Sequence, residues 1–280
     1  MDIDDAPSIA GVDRKLQRAH QHFDELRSAV DHFMQTDFYT LVAPKQDRKG
    51  RLPIAVELIE PIPYLDWGVI VGDFVHNLRS ALDQLIFQLS LPATFPDLPS
   101  GTSFPIFNSG VRFGERQRNG QFTRRSGRYA TRLLPPKVSA TVESLQPYHR
   151  RNNPDSRYLW MLHQLSNVDK HRIVAVSTAS IASVVVRVST SGETSVRRIA
   201  TPQWPVRFED RAVIARIEMG YSEVGATMNV DPTTRIGFSV DFAKRGEAEP
   251  VRGLPLLSTL GNIGSYVEDV VVAHFRPYFK

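Results

Sequence analysis

Between residues 12 and 35, apolar side chains fall at Leu16, Ala19, Phe23, Leu26, Val30 and Phe33, with polar residues between them. Spacings of three and four put all six on one stripe, which predicts an amphipathic helix with Asp13 as its N-terminal cap. The runs FYTLVAPKQ and RLPIAVELIEPIP flank the turn-rich DRKG and predict a short hairpin, stopped by Pro61 and Pro63. A second helix is expected over residues 64–91, with Pro92 ending it. Residues 94–136 are rich in loop signals. A third helix near 136–145 and a fourth, opened by Pro154, Asp155 and Ser156 and running toward His171, complete a helical part.

Past Ile173 the period changes from helical to two. IVAVSTAS, SVVVRVST, TSVRRIAT, RAVIARIEM and TRIGFSVDF are β-branched runs separated by turn signals such as SGE and DPT. They predict an antiparallel sheet of about five strands. Leu257, Leu260, Ile263, Val267, Val270, Val271 and Phe275 then form a helical stripe over residues 256–275, placed to pack back on the other helices. The expected architecture is α+β. Residues 1–172 form a helical bundle with a small hairpin, 173–255 an antiparallel β part, and 256–280 a closing helix.

Two helices carry polar residues where chemistry could sit. On the wheel of the second helix, Phe74, Val75, Leu78, Leu82, Leu85 and Leu89 gather on one side, and His76, Arg79 and Asp83 fall in an arc of about 60° on the other. That arc is either a solvated face with an ordinary Arg79–Asp83 pair four residues apart, or the wall of a cleft. Val69 and Phe87 flank it, which favours the cleft. On the fourth helix, Tyr158, Leu159, Leu162, Leu165 and Ile173 define the apolar side and Asp169 lands in its middle. A carboxylate there needs a cationic partner, and the helix of His76 and Arg79 is the natural supplier. Alternatively the helix ends near Asn167 and Asp169 turns the chain toward the first strand. His163, Asn167 and His171 share the opposite face.

Charge sharpens the picture more than overall composition does. The 280 residues carry a formal net charge of +4, but residues 110–132 alone hold seven arginines (Arg112, Arg116, Arg118, Arg124, Arg125, Arg128, Arg132) against Glu115. This segment is therefore +6 and the remainder −2. Interleaved with Phe113, Phe122 and Tyr129, it has the mixture of cations and rings that grips phosphate backbones and single-stranded bases, which makes RNA a candidate partner. A mobile solvated loop is the plainer alternative. The chain has no Cys, no apolar run of about 18 residues and an acidic start, MDIDDAPSIAG, so a soluble, cytoplasmic protein without a membrane anchor is expected. Spacings for a metal site, a serine nucleophile, a phosphate-binding loop or a dinucleotide fingerprint are absent, and no cofactor or metal is expected. A homodimer stays open.

The motifs GDFVHNLRSALDQL, LQPYH and LSNVDKHR together resemble a set of bacterial proteins of undetermined function that share them, and more distantly the HEPN all-helical nucleases. The resemblance covers about the first 175 residues. In HEPN enzymes an Arg followed four to six residues later by His supplies a phosphate-steadying cation and an acid or base at the ribose 2′-oxygen. Arg14 and His20, Arg27 and His32, and Arg157 and His163 have that spacing here, while His76 and Arg79 run in the reverse order. What the resemblance implies is metal-independent RNA cleavage as a chemistry, without a residue assignment; by residue type, His76, His171, Arg79 and Arg172 or Lys170 are the candidates to supply its base, its acid and the cations at the phosphate if they converge. The residues themselves favour an interaction or binding protein in which Asp83, Asp169, Lys170 and Arg172 join the helices in a polar network. An RNA-binding protein or HEPN-like endoribonuclease is the alternative.

Overall fold

The computed structural model describes residues 7–43, 51–94, 97, 99–185, 188–190, 194–201, 206–207, 209–222, 228–230, 235–243 and 249–279. Helix α1 (Ala10–Met34) buries Val12, Leu16, Ala19, Leu26 and Val30, the expected stripe. It starts without a side-chain cap. Asp13 instead receives Arg276 at 2.8 Å, so the residue expected to cap α1 ties it to the end of the chain.

Helix α2 (Tyr64–Ser90) is the axis of the molecule, with fourteen buried residues from Trp67 to Ser90 spread around most of its circumference. Its first half approaches its neighbours through small residues. A Cβ on Gly68 would lie 2.4 Å from the Val174 carbonyl oxygen, and one on Gly72 would lie 2.1 Å from Oδ1 of Asp169. Only glycine admits such close approach.

Strands β1 (Tyr39–Val42) and β2 (Arg51–Leu58) pair antiparallel, as the hairpin pattern predicts. The hairpin does not stand alone, however. Beyond α3 (Gly110–Phe113), α4 (Gly127–Ala130), α5 (Pro136–Ser144) and α6 (Arg157–Asp169), the chain supplies β3 (Val176–Val185), β4 (Val188–Thr190), β5 (Thr194–Ala200), β6 (Val206–Arg207), β7 (Val213–Ser222), β8 (Met228–Val230) and β9 (Arg235–Phe242). Strand β2 pairs with β7, giving a four-stranded antiparallel sheet in the order β1-β2-β7-β5. The remaining strands described form a three-stranded sheet, β6-β3-β9, and a pair, β4-β8. The single sheet of about five strands is thus divided, and its largest piece incorporates the hairpin. Pairing β2 with β7 covers an otherwise open strand edge. It also buries Ile54 and Val56 with Phe38, Ile214, Ala215 and Ile217 in a second core.

The closing helix is not uniform. It runs as α7 (Leu256–Ser265), a π-helical stretch (Tyr266–Val272) and α8 (Ala273–Phe275). Its apolar stripe packs into the main core with α1, α2 and α6. No described helix is long and apolar enough to cross a membrane.

Candidate functional site

The polar arc of α2 is divided: His76 is exposed, while Arg79 is largely covered and Asp83 partly so. Arg79 Nη2 donates to Asp83 Oδ1 at 2.8 Å and to the Phe104 carbonyl oxygen at 2.7 Å, while the Phe104 N–H donates to the same Asp83 oxygen at 2.9 Å. The Arg79 side chain is only 16% exposed, and its Nη1 is buried without a hydrogen-bond partner among the described residues. Burial lowers the guanidinium pKa, and Asp83 opposes that shift. Residues 103–107 therefore lie over α2, held at Phe104 by Arg79 and Asp83. They are held again at Pro105 and Phe107, where buried Gln146 donates to the Pro105 carbonyl at 2.8 Å and accepts from the Phe107 N–H at 2.9 Å. This is a backbone clamp built from charged and amide side chains.

Asp169 does not complete a pair with Arg79 or His76 as expected. Helix α6 ends at this residue, and its carboxylate rests on the bare backbone of Gly72. Burial pushes its pKa up, with His76 lowering it and Asp73 adding to the rise. His76 itself is exposed, its Nε2 3.4 Å from Ser80 Oγ. Lys170, His171 and Arg172 are exposed on the turn after α6 and make no hydrogen bond to the Arg79 clamp. The three residues expected to act together are therefore separated in character: Arg79 is buried and committed, while His76 and His171 face solvent.

His163 is the residue that sequence reasoning undervalued. Its ring stacks on Trp160 with centroids 5.3 Å apart, and its Nε2 lies 3.1 Å from Asn167 Nδ2. Burial, reinforced by Arg79 and Lys170, lowers its pKa to about 4, so it is neutral at physiological pH. The signal in the sequence was indirect. It becomes visible only once Arg79 is known to be buried beside it.

The Arg-rich segment carries local structure and contacts of its own. Between α3 and α4 it makes a small turn, with Gly120 at φ +83° and a bridge between Arg116 and Phe122. Ser126 Oγ accepts from the Tyr129 N–H and caps α4. Phe113 anchors the unit: it is 1% exposed, sits edge-on to Phe107 and packs against Tyr148. Gly127 is required beneath it, since a Cβ there would lie 2.1 Å from the Phe113 ring.

The seven arginines then divide. Arg116 lies 3.9 Å over Phe122 and donates to the Gly120 carbonyl oxygen. Arg128 pairs with Glu143 across the segment's edge. Arg132 lies 4.0 Å over Tyr129 and donates to the Ser100 and Tyr129 carbonyl oxygens. Arg112, Arg118, Arg124 and Arg125 are exposed and enter no ion pair among the described residues. Phe122 and Tyr129, expected as stacking platforms for bases, are already covered by the molecule's own guanidinium groups.

Among the described residues no group of three or more His, Asp or Glu is arranged to hold a metal ion. No family model, curated protein or solved structure matches the chain.

Proposed function

We propose that this chain is a non-catalytic binding protein for single-stranded RNA, with Arg112, Arg118, Arg124 and Arg125 as its phosphate contacts. The division of the arginines carries this reading. The guanidinium at Arg79 is spent on the protein's own backbone, whereas the four on the Arg-rich segment are exposed, enter no ion pair among the described residues and are set on a frame fixed by Phe113. A preorganised cationic surface loses little conformational entropy when it meets a polyanion. The polar residues between α2 and α6 are then structural, and a cytoplasmic location suits the partner. Fluorescence anisotropy with a labelled single-stranded oligoribonucleotide tests this: binding should weaken steeply as salt rises, with a slope set by the number of phosphates neutralised. Absence of binding at low salt would end it.

His76 supports a second reading, metal-independent RNA cleavage. It is exposed, has Ser80 beside it and lies close enough to Asp169 to influence its titration. An imidazole next to a carboxylate is a residue pairing suited to general acid–base chemistry. Cleavage of single-stranded RNA in the presence of EDTA, lost in His76→Ala with the thermal melt unchanged, would support this over simple binding.

A further inference from the structure

Near its start, α2 turns an apolar line to solvent. Leu65 is 70% exposed and Val69, one turn on, is 49% exposed, while Ile173 on the chain leaving α6 is 45% exposed. The three adjoin one another at Gly68, where a Cβ would lie 2.6 Å from Ile173 Cγ2. A single exposed apolar residue needs no explanation, but contiguous ones rimmed by charge are the pattern of an interaction surface.

The charges flank this line in a fixed order. On the wheel of α2, at about 100° per residue, Leu65 and Val69 fall between Gly68 and Gly72 on one side and Asp66 and Asp73 on the other. Gly68 and Gly72 abut the end of α6 and the chain after it, since their Cβ positions meet Val174, Ile173 and Asp169. That side therefore carries Lys170 and Arg172 of the turn after α6. Across the face the order is basic, apolar, acidic. Asp66, Asp73, Lys170 and Arg172 are all exposed and enter no ion pair among the described residues. Asp66 suits the positive end of α2, but Asp73 lies too far inside the helix to owe its place to the dipole.

Two signs of charge on one face select the partner. A polyanion or an anionic membrane surface would meet the two aspartates along with the two cations and gain little. A second copy of the chain gains from both. Rotation by 180° about an axis running along α2 between the copies sets apolar line against apolar line, and it brings the basic side of each copy to the acidic side of the other. We infer that this face is the isologous interface of a homodimer, with Leu65, Val69 and Ile173 at its centre and Asp73 of each copy facing Lys170 or Arg172 of the other. The apolar centre is small and rim charges set register more than affinity, so the dimer is a transient one that dissociates on dilution. Dimerisation does not depend on RNA.

Sedimentation equilibrium of the nuclease-treated full chain tests this. At a concentration of about 100 µM and low salt, a species of twice the monomer mass should be present, and dilution should return it to monomer. Leu65→Glu combined with Val69→Glu should raise the dissociation constant about tenfold or more with the thermal melt nearly unchanged, because both positions are exposed. Asp66→Lys with Asp73→Lys makes both sides of the line basic, and Lys170→Glu with Arg172→Glu makes both acidic. Each of these two variants alone should be monomeric, and an equimolar mixture should recover a dimer, which also shows that both are folded. Monomer at every concentration and salt would overturn the inference. So would a dimer that survives Leu65→Glu with Val69→Glu, or charge-inverted variants that stay monomeric when mixed. A dimer lost on nuclease treatment is bridging by RNA, which overturns the interface while leaving RNA binding intact.

Discussion

Arg79 and Arg124 carry the same guanidinium group, and the molecule uses them in opposite ways. Arg79 is buried on a helix and bonded to Asp83 and the Phe104 carbonyl. Arg124 stands in solvent on a segment stiffened by Phe113 and Gly127. A buried cation is costly unless its partners are fixed, so the first kind fixes the backbone around it. An exposed unpaired cation contributes almost nothing to stability and is free for a partner. Stability and binding should therefore separate cleanly between the two regions.

The largest effect should come from Asp83→Ala, which strips the paired carboxylate from a guanidinium already carrying one unpartnered nitrogen among the described residues. A loss of about 3 kcal/mol is expected, the lower end for an orphaned buried charge because part of Asp83 meets water. Chemical denaturation measures it, and a loss under about 0.5 kcal/mol would mean that the clamp holds nothing.

The glycine approaches of α2 come next and carry a built-in ranking. Gly68→Ala should cost about 2 kcal/mol, because the obstacle is the Val174 backbone carbonyl, which cannot rotate away. Gly72→Ala should cost about 1 kcal/mol or less, because Asp169 can swing aside and alanine favours the helix. In an Asp169→Ala background, Gly72→Ala should become neutral or stabilising, a change of sign that thermal melts of the double mutant would detect.

His163 gives a pH signature smaller than either. Its folded-state pKa is about 4, below its ordinary value of 6.5, so the unfolded chain binds the extra proton between those values. The contribution is fully present above about pH 6.5 and is lost as pH falls toward about 4. His163→Gln should flatten the stability profile in that window, measured by urea melts at several pH values. An unchanged profile would mean that the ring is not desolvated beside Arg79.

What the sequence could and could not reveal follows the same division. The bounds of α1 and α2 were legible to within two residues because the apolar period of α1 is strong and prolines flank α2 at both ends. Burial of Arg79 was not, because the cover comes from residues 103–107, which have no period and are positioned by Gln146 from about forty residues away. Asp169 was placed correctly against α2, but a helical wheel cannot show that its counterpart is a glycine backbone rather than a cation. The local structure of the Arg-rich segment depends on ring pairs such as Phe113 with Tyr148, and composition alone reads it as a loop. Pairing of β2 with β7 joins residues far apart in the chain, beyond the reach of any local pattern.

The smallest change in stability should accompany the largest change in binding. The variant with Arg112, Arg118, Arg124 and Arg125 all changed to Gln should melt within about 0.5 kcal/mol of the wild type, since these side chains make no ion pair among the described residues. Its affinity for a single-stranded oligoribonucleotide, followed by anisotropy over a salt series, most directly tests whether this surface binds RNA. The slope of log affinity against log salt should shrink by about 0.7 for each phosphate that is no longer neutralised. Wild-type affinity and an unchanged slope in the quadruple variant would contradict the assignment of this surface to RNA.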